Sequence, residues 1–350
     1  MHWTGTVRNN MEQKVSDIGE FELIERILKI VNKTGRNPGL LVQGIGDDTA
    51  VFKPPEPGYE MLATCDTMVE GRHYLKEYMT PFEIGRRAMV MNISDIGAMG
   101  GIPLYALVTL GLSSFESVND IEEIYNGILK ELEPFDAAII GGNISRVEGS
   151  PFIDITLIGT VNRDFKVLRS GARPGDAVMV TGCPGNSAAG YWIISNKIQG
   201  FEQYKTLLDS YIRPRHRAME GRALGLSGKI TSMIDLSDGL SGDLFHICNK
   251  SGVGAEIREA MLPSCRDLED VSGISGIKKE DFILGASDDY ELLFTCSVAD
   301  IDAVRLILSG FNLPVAHIGI VVPVLQGITV IDGNGEKRAL LKTGWDHFSK

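Results

Sequence analysis

The spacing of apolar residues near the start of the chain predicts an amphipathic helix. In EFELIERILKIV, at 20–31, apolar residues recur three or four positions apart, which places their side chains on one helical face. Residues 1–16, before this helix, are predicted to be a polar leader. A second helix is predicted to open at Pro81 and to run to about Met99, and a third to span 120–135. The predicted buried face of the first helix consists of Phe21, Ile24, Ile27, Leu28 and Val31.

Strict alternation of side-chain types predicts a strand over YEMLATCDTMVEG, at 59–71. One face of this strand carries Leu62, Thr64 and Asp66, and the other carries Met61, Ala63 and Cys65. Further strands are predicted at 102–112, 137–143, 151–161 and 177–182, and the strand at 137–143 is expected to enter a glycine turn. The second half mixes strand and helix patterns in the segments 232–248, 252–257, 288–296 and 314–322.

A boundary between two domains is predicted near 162–174, where the turn-rich segment RSGARPGD begins. We therefore expect an N-terminal domain over 17–165 and a C-terminal domain over 166–350. Strand and helix patterns interleave in both halves, so the predicted class is α/β or α+β.

Composition narrows the classes of function. The chain has 350 residues and a net charge of −12, which argues against a general nucleic-acid binder. The five scattered cysteines form no CxxC pair, so neither a zinc site nor a disulfide framework is indicated. The most apolar stretch, 88–112, contains Asp95 and Pro103, so a membrane-spanning helix is not expected. We expect a cytoplasmic protein with no membrane or nucleic-acid partner.

Aspartates beside glycine or hydroxyl residues recur where apolar runs end. Adjacent carboxylates repel one another, and Mg²⁺ removes this repulsion because it prefers carboxylate oxygens, waters and substrate phosphates as ligands. Five such motifs exceed what helix capping requires, so we expect a magnesium site that grips a polyphosphate during phosphoryl transfer. The motifs contain Asp47 and Asp48 (GDDTA), Asp66 (TCDT), Asp95 (NISDIGAMG), Asp235 and Asp238 (DLSDG), and Asp288 and Asp289 (SDDYEL).

The usual phosphate-binding loops do not occur in the sequence. The nearest segment, ALGLSGKI at 223–230, has Ala223 in place of the first glycine and Ile230 in place of the magnesium-binding hydroxyl residue. Each acidic motif also has a structural interpretation. The aspartates could cap helices or shape turns, Asp95 could pair with an arginine such as Arg87, and SDDYEL could be a solvated strand entrance.

The motifs in their order along the chain resemble those of the thiamine-monophosphate kinase family. This family belongs to the superfamily of aminoimidazole-ribotide synthetase, selenophosphate synthetase and the hydrogenase-maturation dehydratase. The resemblance extends from about residue 17 to residue 348. The motifs that carry it are GEFELIERI (19–27), GIGDDTAV, DTMVEGRHY (66–74), NISDIGAMGG (92–101), GG (141–142), DLSDGLSGDL (235–244), SGVGAEI (251–257), DDYELLFT and GWDHF (344–348).

The resemblance implies a fold, a reaction and a homodimer. The N-terminal domain would contribute four strands to an eight-stranded barrel shared by two subunits, and the C-terminal domain would be an α/β sandwich. The reaction would be in-line transfer of phosphate from ATP to thiamine monophosphate with Mg²⁺, in which Asp48, Asp66, Asp95 and Asp238 would be catalytic. The metal ligands would be Asp48, Thr64, Cys65, Asp66, Asp95, Asn143, Asp235 and Asp238. ATP would contact Tyr125, Gly142, Asn143, Arg169 and Ser237, and the thiamine moiety would contact His73, Asp288 and Trp345.

Three residues differ from the pattern that the resemblance leads us to expect. Asn143 stands where the family usually has a metal-binding Asp, Cys65 where a hydroxyl residue is common, and Asp288 where Glu is usual. These differences leave two alternatives open. The chain could be another ATP-using member of the superfamily, or a paralogue that binds nucleotide or thiamine phosphate without turnover.

Overall fold

The N-terminal half is built on a four-stranded sheet that is covered on one side by helices. The computed structural model describes residues 13–35, 39–43, 51–53, 55–198 and 200–344. The strand order is β3-β6-β4-β5, in which only β4 and β5 pair in parallel. The elements of this half are α1 Val15–Lys33, β1 Leu41–Gln43, β2 Val51–Phe52, β3 Tyr59–Val69, α2 Pro81–Ala98, β4 Ile102–Leu112, α3 Val118–Leu132, β5 Ala138–Arg146 and β6 Phe152–Asn162.

The alternation predicted for β3 is present in the structure. Leu62 and Thr64 point toward α2, whereas Met61, Ala63 and Cys65 are exposed on the opposite side of the sheet. We call this opposite side the open face, because these three side chains of β3 are exposed on it. The two faces of one sheet therefore carry different sets of candidate residues.

The C-terminal half contains a seven-stranded mixed sheet of order β13-β12-β9-β11-β7-β10-β8, in which only β9 and β12 pair in parallel. The described part of the chain thus has one large sheet in each half, and its class is α/β, as predicted. The elements of this half are β7 Asp176–Thr181, α4 Asn186–Ser195, α5 Lys205–Ile212, α6 Ala218–Leu226, β8 Ile230–Asp235, α7 Leu240–Ser251, β9 Val253–Arg258, α8 Arg266–Ser275, α9 Lys279–Leu284, β10 Leu292–Ser297, α10 Ile301–Ser309, β11 Val315–Pro323, β12 Ile328–Ile331 and β13 Lys337–Ala339.

Two predicted details differ from the structure. The strand near 137–143 does not stop at a turn but continues through Gly142 to Arg146. A Cβ on Gly142 would lie 1.9 Å from the carbonyl oxygen of Val108, so this glycine permits close strand packing. Among the α1 side chains that the structure describes, Leu23 is the most buried, although it was not predicted to lie on the apolar face.

Helix α2 joins the two halves. It begins with a capping box, in which Thr80 accepts from the Glu83 amide and the Glu83 carboxylate accepts from the Thr80 amide. Residues at helical spacing then contact the C-terminal half. Glu83 pairs with Arg213 at 2.5 Å, and Ser94 donates to Asp235 at 2.6 Å. Among the described residues, no helix combines the length and apolar character needed to cross a membrane.

Candidate active site

A cavity of about 760 Å³ lies between the two halves, alongside α2. Its lining includes Arg87 and Asp95, and these two helix positions are about 12 Å apart along the axis at 1.5 Å per residue. The acidic end, near Asp95, is lined by Asp66, Asp95, Asp235 and Asp238. The aromatic end, near Arg87, is lined by Tyr191, Tyr211, His73 and Asp288.

Three carboxyl groups at the acidic end have raised pKa values. Burial raises the pKa of Asp66 to about 6, and the charges of Asp95 and Asp154 add to the effect. Burial likewise raises the pKa of Asp235 to about 7, with a further contribution from Asp95. The pKa of Asp95 is raised by burial despite the opposing hydrogen bond from Thr64 at 2.5 Å. The protein therefore holds acidic groups where their ionised forms are unfavourable.

The carboxylate oxygens at the acidic end suit a divalent cation that prefers oxygen ligands. Asp235 Oδ1 is buried and, within the described part of the chain, accepts no hydrogen bond. A cation would supply the missing partner and offset the mutual repulsion of the carboxylates. In the described ranges, no three His, Cys, Asp or Glu side chains are gathered around one point. Carboxylate oxygens suit Mg²⁺, which usually takes one or two of them and retains waters and substrate phosphates as further ligands.

The Asp243 carboxylate, which was not among the predicted site residues, shapes the loop from Asp235 to Asp243. The amides of Ser237 and Asp238 donate to Asp243 Oδ2 at 3.2 and 3.3 Å. Burial, together with Asp235 and Asp238, raises the pKa of Asp243 well above its ordinary value. Gly239 has φ of 105°, and a Cβ there would lie 1.9 Å from the carbonyl oxygen of Gly285. Gly239, the glycine of DLSDG, is therefore required for two reasons: its φ is positive, and a side chain would clash with the Gly285 carbonyl oxygen.

The aromatic end contains an ion pair between the two halves. Arg87 pairs with Asp288, so the alternative interpretation that Arg87 pairs with Asp95 is wrong. Ser187 donates its hydroxyl to the same Asp288 carboxylate. The rings of Tyr191 and Tyr211 are tilted by 49° with their centroids 5.3 Å apart. Ser187, Tyr191 and Tyr211 were not predicted, because no motif marks them and only the fold brings them to the cavity.

Comparison with known proteins identifies the family. Models of the AIR synthase related protein match the chain over 46–161 (N-terminal domain) and 173–331 (C-terminal domain). The thiamine-monophosphate kinase of Buchnera aphidicola subsp. Acyrthosiphon pisum is 34% identical over 336 residues, which are 94% of this chain and 98% of the relative. The chain belongs to the thiamine-monophosphate kinase family.

Solved structures of the thiamine-monophosphate kinase family have the same fold. The crystal structure of thiamine-monophosphate kinase from Stenotrophomonas maltophilia K279a aligns with a TM-score of 0.78 at 30% identity, and covers 91% of this chain and 97% of its own. The structure of AaThiL complexed with AMPPCP and TMP aligns with a TM-score of 0.73 at 31% identity, and covers 97% and 100% of the two chains.

The family resemblance assigned several residues that lie away from the acidic end. Tyr125 is buried in the core of the N-terminal half, and burial raises its pKa. Cys65 lies on the open face, with its thiol 3.5 Å from Asp154 Oδ2. Asn143 lies on the same face, because it is in register with Thr109, which is in register with Asp154. Metal binding by Cys65 or Asn143 therefore remains a prediction for the open face.

The remaining predicted residues divide into two groups. Arg169 is exposed on the surface, yet its charge partly offsets the rise that burial causes in the pKa of Asp95 and of Asp235, so it lies near the acidic end. Asp47, Asp48 and Trp345 lie outside the described residues, and their assigned roles remain predictions.

Proposed function

We propose that this protein transfers the γ-phosphoryl group of ATP to thiamine monophosphate, forming thiamine diphosphate and ADP. One observation carries the proposal: in a chain of this family, a single cavity joins an acidic end to an aromatic end. A related structure holds AMPPCP, an ATP analogue, together with TMP. Nucleotide phosphates suit the acidic end when cations are present, and the rings of thiamine suit the aromatic end.

Mg²⁺ is the cofactor that suits the carboxylate oxygens at the acidic end. Asp66, Asp95, Asp235 and Asp238 would hold it, with Asp48 from the segment that the structure does not describe. When bound, Mg²⁺ neutralises phosphate charge in the ground state and in the transition state of phosphoryl transfer. Thr64 and Ser94 orient the Asp95 and Asp235 carboxylates by donating hydrogen bonds to them.

The protein's own task in the reaction is to position two phosphate groups for in-line transfer. The acceptor phosphate is already ionised, so no general base is required. Arg169, near the acidic end, offers a guanidinium that suits phosphate oxygens. Tyr191 and Tyr211 line the cavity, and aromatic rings attract a cation such as the thiazolium ring.

Direct product analysis tests this function. Purified protein, ATP, thiamine monophosphate and Mg²⁺ are expected to yield ADP and thiamine diphosphate in equal amounts, and omission of Mg²⁺ should abolish both products. A panel of other phosphate acceptors separates this activity from those of other ATP-using superfamily members. Tight binding of both ligands without product would contradict the proposal and favour a binding protein without turnover.

We also propose that a second copy of the chain covers the open face and forms a homodimer. Met61 is 39% exposed and Tyr59 40% exposed on this face of the edge strand β3, so the face presents large apolar side chains to solvent. Light scattering should give the mass of a dimer, and Met61→Asp should shift it to a monomer. Leu325→Asp is the matched control, because Leu325 is 98% exposed in a turn away from this sheet. A monomeric wild-type protein would refute the proposal.

A further inference from the structure

Arg87 is a buried cation that contacts three separate segments of the chain. Its side chain is only 2% exposed, although arginine is rarely buried without partners. Its Nε donates to the carbonyl oxygen of His73 at 3.1 Å, within the N-terminal half. Its two Nη atoms donate to the C-terminal half, one to the carbonyl oxygen of Tyr211 and the other to the Asp288 carboxylate.

The surroundings of Arg87 keep it charged. Burial disfavours the guanidinium, but Asp288, Tyr290 and Tyr211 outweigh this effect and raise the pKa of Arg87 above its ordinary value. The guanidinium carbon also lies 4.9 Å from the centroid of the Tyr211 ring, within cation–π distance. The planar guanidinium holds several N–H donors in a fixed arrangement, which we call the fork, so it can donate to two carbonyl oxygens and a carboxylate at the same time. A lysine ammonium cannot match that geometry.

The groups that Arg87 holds are those that line the aromatic end. Asp288 has both oxygens engaged, Oδ2 by Arg87 and Oδ1 by Ser187, so its orientation is fixed from two directions. His73 belongs to a turn in which its amide donates to the carbonyl oxygen of Val69, and its Nδ1 accepts from the Val69 amide at 3.0 Å. Arg87 thus connects this turn to Asp288 across the boundary between the halves.

We propose that Arg87 is a positioning residue that sets the affinity for the phosphate acceptor by holding His73, of the N-terminal half, and Asp288, of the C-terminal half, in place at the cavity. The inference rests on the proposed function, since it takes the aromatic end as the acceptor site. The acidic end lies farther along α2, so the affinity for ATP should not depend on Arg87.

The test compares adjacent arginines of the same helix. Arg87→Lys keeps the charge but loses the fork, and is expected to raise KM for thiamine monophosphate by about tenfold while KM for ATP stays within about twofold. Arg86→Lys is the matched control. Arg86 pairs with Glu131 of α3, away from the cavity, and its variant should leave both KM values unchanged. Asp288→Asn, which keeps the side-chain shape, provides a second variant with the same expected increase in KM for the acceptor.

A measurement without ligand separates this inference from the proposed function. Hydrogen exchange of the amides at 71–75 and 286–290 should be faster in Arg87→Lys than in Arg86→Lys. If the wild type forms thiamine diphosphate and Arg87→Lys leaves the acceptor KM unchanged, the inference is overturned. If the wild type does not act on thiamine monophosphate, the proposed function fails. The hydrogen-exchange measurement then decides whether Arg87 positions the segments 71–75 and 286–290. Faster exchange in Arg87→Lys then supports that role, and equal exchange overturns it.

Discussion

The buried carboxyl groups at the acidic end lower the stability of the folded protein when no cation is bound. Asp66, Asp95 and Asp235 are buried near one another, and each has a raised pKa. A carboxylate removed from water and placed beside like charges destabilises the folded chain unless a cation joins it. Groups of this kind are expected where binding rather than folding has determined the residue type.

The substitution Asp95→Asn separates the effect of this carboxylate on stability from its effect on turnover. The amide keeps the shape of the side chain but removes one negative charge beside Asp66 and Asp235, so we expect the metal-free protein to unfold at an equal or higher temperature. Turnover should fall at least about a hundredfold, because charge neutralisation at the phosphates depends on the carboxylate. Thermal unfolding and product formation are measured on the same preparation.

The matched control for Asp95→Asn is Asp302→Asn. Asp302 is 97% exposed at the start of α10, where it pairs with the exposed Arg305, so this change should alter stability by less than about 1 kcal/mol and leave turnover unchanged. Near-normal turnover of Asp95→Asn would show that Asp95 has a structural role only.

The composition of the acidic end was predictable because its members belong to short motifs at the ends of apolar runs. The position of Cys65 was also implicit, since strict alternation in β3 places it opposite Thr64 and Asp66. The partner of Arg87 was not predictable. Asp288 is distant in sequence, and only the packing of the two halves brings it to α2. Periodicity assigns a side chain to a face, but it does not identify what covers that face.

The strand β4 and the helix α2 were predicted nearly to the residue, whereas the first helix, predicted over 20–31 after a leader at 1–16, spans Val15–Lys33. The strand expected at 102–112 is Ile102–Leu112, and the helix expected from Pro81 ends at Ala98. The strand β5 was predicted too short because glycines ordinarily favour turns, whereas here Gly142 admits a neighbouring strand at close range. Local propensity gave the wrong end for β5, because tertiary packing determined where the strand stops.

Helix α2 offers a test of how closely the halves pack. A Cβ added to Gly97 would lie 2.5 Å from the Cα of Ala218, at the contact between α2 and α6. Gly97→Ala is therefore expected to destabilise the protein by roughly 1–3 kcal/mol, because backbone must move to admit the methyl group. Denaturant unfolding gives the change in free energy of unfolding.

The control for Gly97→Ala is the same substitution in an open helix. Gly273 lies in α8, and a Cβ there would meet nothing within 4 Å. Gly273→Ala should stabilise the protein by about 0.5–1 kcal/mol, since alanine has the higher helix propensity. If Gly97→Ala stabilised the protein as Gly273→Ala does, the close approach at Gly97 would not limit packing.

The two halves also meet at His216, which connects the stability of the whole molecule to pH. His216 Nε2 lies 3.5 Å from Glu131 Oε2 of the N-terminal half, and the ring centroids of His216 and Phe135 are 5.5 Å apart. Burial lowers the pKa of His216 from its ordinary value of 6.5 to about 4, and the charges of Arg217 and Arg86 contribute. The folded protein therefore holds this imidazole neutral at the contact between the halves.

The sign of the pH effect follows from the lowered pKa. Below pH 6.5 the unfolded chain binds a proton at His216 that the folded chain does not bind until about pH 4, so acid favours unfolding. The contribution should reach about 2 kcal/mol by pH 5. Between pH 7.5 and 5, the free energy of unfolding of the wild type should thus fall more steeply than that of His216→Gln, which cannot titrate. Parallel pH profiles would show that His216 is as free to take up a proton in the folded protein as in the unfolded chain, and that the contact between the halves does not exclude the charge.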